Sequence, residues 1–232
     1  MLPLVIKQLG VTVNNKPLLR SIELELADKG ISIIMGHNGA GKSILLKCMH
    51  GLLEPTEGSI HWSGSKATSL INRKKQTMVF QKPLMLNRSV AANIEYVLKL
   101  RGKPKNLQEK YMQSAGLSNK SSQPARSLSG GEQQRLAIAR ALACEPEVIF
   151  LDEPTANLDP DATLKIESQI YNASQQTIKV IMVTHDIAQA RRLADDVVFI
   201  SQGSVAEHSK AELFFNQPQS VAAKEYLSAY IR

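Results

Sequence analysis

Lys42 and Ser43 close an octet, Gly36-His37-Asn38-Gly39-Ala40-Gly41-Lys42-Ser43, whose residue types suit the grip on an anion. Glycines let successive backbone N–H groups turn inward around a negative charge, and a helix starting where the loop ends adds its positive pole. The lysine then reaches the β- and γ-phosphates of a nucleotide, and the serine hydroxyl takes a place on Mg2+ beside them. A second acidic element stands far along the chain, where Val148-Ile149-Phe150-Leu151 runs into Asp152 and Glu153. Asp152 reads as the residue that holds Mg2+ through water, and Glu153 as the general base that polarises water attacking the γ-phosphate. His185 follows Val180-Ile181-Met182-Val183-Thr184 in the same manner. Each feature has a plainer reading when taken singly: a solvated strand end for the acids, a structural role for the histidine. Their combination behind a phosphate loop carries the assignment.

These side chains need elements to hold them. Ile31, Ile33, Ile34 and Met35 predict a strand before the loop, and Leu45, Leu46 and Met49 predict a helix from Ser43 to His50, with Gly51 as its stop signal. The continuous apolar run 148–151 fits a strand buried on both faces, and ligands collect at the carboxyl ends of such parallel strands. Leu128-Ser129-Gly130-Gly131-Glu132-Gln133-Gln134-Arg135 marks another helix start. Ser129 suits an N-cap, Glu132 completes a capping box, and the two glycines permit close approach of an anion. Outside this context the same residues would read as a flexible turn. The helix that follows predicts Leu136, Ile138, Ala139 and Leu142 as buried, Arg135 and Arg140 as its more polar side, and an end before Glu145-Pro146. A further helix carries Val90, Ile94, Val97 and Leu98 as a core stripe behind Ser89 as cap.

The 232 residues, 43% of them hydrophobic, are enough for one functional unit with a good core. Cys48 and Cys144 form neither a disulfide framework nor metal-ligand spacing, which suits a reducing compartment. No run approaches the length of a membrane span, and Met1 to Lys7 runs into strand-like sequence without a secretory pattern, so the chain is expected not to cross a bilayer. The net charge of +7 is spread along the chain, and Arg73-Lys74-Lys75 reads as a solvated turn. Attraction to an anionic membrane leaflet or to nucleotide phosphates is compatible with that charge.

With these motifs in place, the chain resembles ATP-binding cassette (ABC) ATPases over essentially its whole length. Six of that family's seven short motifs stand in order: the loop at 36–43, Gln81 after Met78-Val79-Phe80, the signature at 128–132, the acidic strand at 148–153, Asp159 in Asn157-Leu158-Asp159, and His185. The resemblance implies an α/β fold: a RecA-like P-loop NTPase core with a small antiparallel β-subdomain and an inserted α-helical subdomain. It implies one nucleotide-binding domain over 1–232, with 1–82 and 146–232 as the core and 83–145 as the insert. It further implies that ATP lies between two copies arranged head to tail, gripped by residues 36–43 and Ile44 of one. Ser129, Gly130, Gly131 and Glu132 of the other copy, with Asp159, would complete the site. His185 and Lys42 would contact the γ-phosphate, His185 would orient Glu153 and the water, and Gln81 would sense Mg2+ and water and signal to a membrane partner. Mg2+ would fall to Ser43, Gln81 and Asp152. The departure is Val13, which aligns where the family places an aromatic residue on adenine.

The resemblance also implies partners: transmembrane permease subunits whose short helix docks near Pro83 to Arg88, a solute-binding protein if the system imports, and a place on the cytoplasmic face of the membrane. Residues 79–93 look most like cassettes of tungstate and related oxyanion importers, with molybdate or phosphate less similar, and no C-terminal barrel is expected after residue 232. A compact exporter or lipoprotein-release cassette, whose 152–159 segment is similar, is an alternative. A soluble ATPase clamp on nucleic acid or ribosomes is another, but the short single insert speaks against it, and no nucleic-acid partner is expected. A regulator without hydrolysis is disfavoured by intact Lys42, Ser43, Asp152, Glu153 and His185.

Overall fold

The computed structural model of the chain describes residues 3–66 and 69–229; Met1 and Leu2, the start of the stretch read as strand-like, lie outside them. Alternating apolar residues fold the opening of the chain into a hairpin. β1 (Leu4–Val13) and β2 (Lys16–Leu26) pair antiparallel across Asn14 and Asn15, both at positive φ, a geometry asparagine tolerates better than most residues. β3 (Ile31–Met35) follows, then α1 (Lys42–His50), one residue earlier at its start than the sequence pattern suggests. β4 (Glu57–Trp62) and β5 (Ser65–Lys66) join the hairpin in an antiparallel sheet of order β2-β1-β4-β5.

The second sheet is built around β3. α2 (Leu70–Lys74) leads to β6 (Gln76–Val79), and Arg73 and Lys74 therefore end a short helix rather than form the expected turn. Their basic side chains suit the negative pole of a helix terminus, while Lys75 pairs with Glu147 at 2.7 Å. Three helices come next: α3 (Val90–Leu100), α4 (Gln108–Ser114) and α5 (Gly130–Leu142). The chain then returns through β7 (Val148–Asp152), α6 (Pro160–Gln175), β8 (Lys179–Val183), α7 (Ile187–Leu193), β9 (Asp196–Ser201), β10 (Ser204–Lys210), α8 (Ala211–Asn216) and α9 (Val221–Ser228). The sheet order is β10-β9-β3-β8-β7-β6, parallel throughout except for the β9–β10 pair. Every residue of β3, β7 and β8 is buried, as expected when both faces of a parallel sheet are covered.

On one face α1 fills the space toward the antiparallel sheet, with Leu45, Leu46 and Met49 packed near Trp62 and Phe150. The Trp62 indole N–H also donates to the Met49 carbonyl at 3.0 Å, which ties the small sheet to the end of α1. Truncating a buried aromatic of this kind removes about 3–5 kcal/mol. The opposite face packs Ile149, Leu151 and Phe199 against α6 to α9, with Phe214 of α8 beside Phe199. The helices between β6 and β7 have a core of their own, in which Ile94, Leu98, Leu117, Leu136 and Ala139 meet. Leu142, expected to be buried, is only partly so: it sits at the end of α5, where it packs against the edges of both cores.

Candidate functional site

The phosphate loop leaves the carboxyl end of β3 through Gly36, whose φ is 146°. A Cβ there would lie 2.1 Å from the Ile200 carbonyl oxygen, so β9 and the loop approach closely only because residue 36 lacks a side chain. Gly41, at φ 104°, caps α1 with its backbone alone, and no acidic residue occupies the first turn. The first four N–H groups of a helix have no partner within it, so this end is left for an external anion. Lys42 folds back over the loop, with its ammonium donating to the carbonyls of Gly36 at 2.9 Å and His37 at 3.0 Å. Burial lowers its pKa, opposed by the nearby charges of Glu153 and Asp152. The His37 ring stands edge-on to Tyr226 at 5.0 Å, and Asn38 and Gly39 are exposed. Ile44, next along α1, is partly buried, with its side chain packed against the hydrophobic core.

The acidic residues arrive from β7, beside which β8 runs in parallel register. The Ser43 hydroxyl donates to Asp152 Oδ1 at 2.8 Å. Burial raises the Asp152 pKa, while the Ser43 bond works in the opposite direction. Glu153 takes a φ of 46°, unusual for a residue with a Cβ, and its N–H donates to the Val183 carbonyl at 3.0 Å. Its Oε2 accepts from Gln81 Nε2 at 3.2 Å and lies 3.6 Å from His185 Nδ1. Gln81 from the end of β6, Glu153 from β7 and His185 from the end of β8 thus converge on one carboxylate oxygen.

A second group of residues sits apart. Ser129 caps α5, accepting from the Glu132 N–H at 3.4 Å, while Glu132 Oε2 accepts from the Ser129 N–H at 3.1 Å. Lys120 donates to the other Glu132 oxygen at 2.6 Å, and this bond leads the causes that hold the Glu132 pKa below the usual range. Gly130 lies beside Leu158, and a Cβ on Gly131 would come 2.8 Å from that of Ala162. Asp159 caps α6 by accepting from the Ala162 N–H at 2.8 Å. Among the described residues no hydrogen bond joins Ser129, Glu132 or Asp159 to the phosphate loop. Val13, at the end of β1, is 46% exposed.

Sequence reasoning missed what anchors the Gln81 loop. Arg140 was expected on a polar side of α5, but its Nη1 donates to the Leu84 carbonyl at 2.7 Å, and Gln134, 2% exposed, reaches the Phe80 carbonyl at 3.4 Å. Arg135 likewise turns inward and donates to the Ala115 carbonyl at 2.8 Å. The only hint in the sequence was a run of long polar side chains recurring every turn of a helix otherwise bound for the interior.

The residues fit a nucleotide with Mg2+. An uncapped helix start, a buried ammonium held by loop carbonyls and open space above Gly39 form a phosphate cradle. Among the described residues no three His, Cys, Asp or Glu cluster to hold a metal by themselves. Ser43 and Asp152 instead offer two adjoining oxygens, the sparse protein contribution that Mg2+ takes when phosphates and water supply the rest.

The family model described as ABC transporter matches residues 19–156. The chain is 44% identical over 182 residues to the tungstate uptake system ATP-binding protein TupC of Peptoclostridium acidaminophilum, covering 76% of this chain and 84% of that one. It is 36% identical over 235 residues to the phosphate import ATP-binding protein PstB of Mycoplasmoides gallisepticum, covering 93% and 72%. The solved dimer of the ATP-binding cassette MJ0796, in a post-hydrolysis state bound to ADP and Pi, superposes with a TM-score of 0.79 at 28% identity over 90% of this chain and 98% of that one.

Proposed function

The chain belongs to the ABC transporter family as an ATP-hydrolysing subunit, and from that premise we propose that it energises import of an oxyanion, tungstate foremost, through separate permease subunits. In this reading 1–232 is one nucleotide-binding domain, with 83–145 as the insert that carries the signature. Two copies arranged head to tail bind ATP between the phosphate loop of one and Ser129 to Glu132 of the other. The pair sits on the cytoplasmic face of the membrane, and a solute-binding protein delivers the oxyanion.

The observation that carries the reading is the shared Oε2 of Glu153, held between Gln81 and His185 while Asp152 is engaged by Ser43. Lys42 releases its loop carbonyls to bind the β- and γ-phosphate oxygens, and the N–H groups at the start of α1 surround the same charge. Glu153 accepts a proton from water as the water oxygen bonds to the γ-phosphorus and the bond to ADP breaks. His185 and Gln81 fix the carboxylate on that water, which limits the orientational freedom the step would otherwise lose. Ser43 and Asp152, with Gln81 nearby, would hold Mg2+, which would supply neutralisation of the phosphate charge.

Glu153→Gln tests the assignment. It should retain ATP binding, lower turnover at least about 100-fold, and accumulate a nucleotide-bound dimer on a sizing column, because the base is lost while the cradle stays. Undiminished turnover would remove Glu153 from its role. The oxyanion is tested separately, by reconstituting the chain with the permease encoded beside it. Tungstate with its solute-binding protein should stimulate ATPase activity more than phosphate does.

A further inference from the structure

Gln189, on α7, is fully buried, and an amide in such a place must find partners or cost stability. Its side chain finds them on two other segments. Both ends of the amide lie within hydrogen-bond reach of Thr155 Oγ1, Nε2 at 3.0 Å and Oε1 at 3.2 Å, and Nε2 also reaches Glu167 Oε1 on α6 at 3.2 Å. Glu167 is buried too and is answered by Arg192, whose Nε and Nη2 donate to its two oxygens at 2.9 and 2.6 Å. The bidentate pair fixes one end of this network in place. The other end is Thr155, two residues after Glu153, in a turn where Glu153 takes a φ of 46° and its carbonyl accepts from the Ala156 N–H at 3.2 Å. Such a backbone persists only where its surroundings hold it. The Gln189 N–H in turn donates to Asp186 Oδ1 at 3.0 Å, which closes the start of α7 directly behind His185. One side chain thus ties the turn after Glu153 to the helix after His185, whereas a leucine would fill the space without joining them.

We propose that Gln189 is a positioning residue for hydrolysis: it holds the turn at Glu153 against α7 and thereby sets the 3.6 Å approach of Glu153 Oε2 to His185 Nδ1. The proposal rests on the role given above to Glu153 and adds the group that keeps that carboxylate in place. The hydrogen bonds of Gln189 go to Thr155, Glu167 and Asp186, so its loss is felt in the rate of the chemical step rather than in the grip on nucleotide. Misplacing a reacting group by about 1 Å slows a step that depends on orientation by as much as roughly 100-fold.

The test uses the full chain with ATP and Mg2+, in steady-state and single-turnover assays well below the melting temperature. Gln189→Leu and Thr155→Val remove the bond from its two sides, and each should lower kcat at least about tenfold while KM and Kd for ATP stay within about twofold. Thr155→Ser keeps the hydroxyl and should stay within about threefold of the parent. Should Gln189→Leu fail to fold, Thr155→Val decides alone, since it exchanges one hydroxyl for a methyl on a half-buried side chain. Glu153→Gln supplies the background that separates positioning from packing. With the carboxylate gone, adding Thr155→Val should slow the residual single-turnover rate less than about twofold, because no base is left to displace. An unchanged kcat in Thr155→Val, a Thr155→Ser as slow as Thr155→Val, or an undiminished loss in the Glu153→Gln background would leave Gln189 a packing residue and overturn the proposal. Full turnover by Glu153→Gln alone would instead overturn the role of the base, and this inference with it.

Discussion

α1 and α5 each carry a glycine where they start, Gly41 as the cap of one and Gly130 as the first residue of the other, and both face an anion in the proposed reaction, yet their first turns are built in opposite ways. α1 starts at Gly41 with no side-chain cap and no acid, so its N–H groups wait for a ligand. α5 starts at Ser129 with a closed capping box, and Glu132 is paired in turn with Lys120. One terminus is left unsatisfied because its own chain supplies the lysine that joins the phosphate. The other has its Ser129 and Glu132 N–H groups answered at rest, in keeping with a ligand that, in the proposed dimer, arrives with a second copy. Half of the site is therefore stored open and half stored closed.

The sharpest way to break this contrast is at the open end. Lys42→Ala should lower ATP affinity of the isolated chain at least about 100-fold by calorimetry, since a buried charge-assisted contact to phosphate is lost. At the closed end the same measurement should barely move. Ser129→Arg should leave ATP binding by the isolated chain within about twofold but abolish steady-state hydrolysis, and it should lower stability by about 1 kcal/mol through loss of the cap. A parallel loss of nucleotide binding in both variants would erase the distinction.

The far end of α1 provides a smaller effect. Burial, aided by the charge of Arg73, pulls His50 down from 6.5 to about 4. Its folded pKa is depressed, so the unfolded chain takes up the proton first. The stability tied to neutral His50 is present above pH 6.5 and is lost as pH falls from 6.5 toward 4. Urea unfolding at pH 7.5 and 4.5 should show a loss from this group of about 2–3 kcal/mol that His50→Phe lacks. Smallest is Val13→Tyr: stacking on adenine should tighten ATP binding roughly fivefold and sharpen preference over GTP. Unchanged nucleotide titrations would remove residue 13 from the adenine contact.

Much of this was legible because it is local. A capping box needs only Ser129 and Glu132, a phosphate loop only eight consecutive residues, and a doubly covered strand only a run such as 148–151. The parallel core and the small antiparallel sheet followed from the resemblance that those motifs support. What stayed hidden depends on residues distant in sequence. The reach of Arg140 to Leu84, the edge contact of His37 with Tyr226 and the packing of Ile44 against the core are set by contacts between segments that no spacing rule connects. The polarity of Arg135 and Arg140 pointed outward by pattern, whereas available carbonyls drew both inward.

The placement of β3 has a consequence for biogenesis. Its two neighbours are β8 and β9, so Ile31 pairs with Val180 and Ser32 with Asp196. During synthesis the phosphate loop emerges early, but the strands that clamp its stem leave the ribosome only near the end. The nascent chain must keep β3 unpaired for most of translation, exposed to misassociation of the kind long-range parallel pairing invites. A nucleotide that favours the completed cradle over the unpaired strand would stabilise it by mass action, so starving a cell of nucleotide should reveal itself first in newly made copies of the protein.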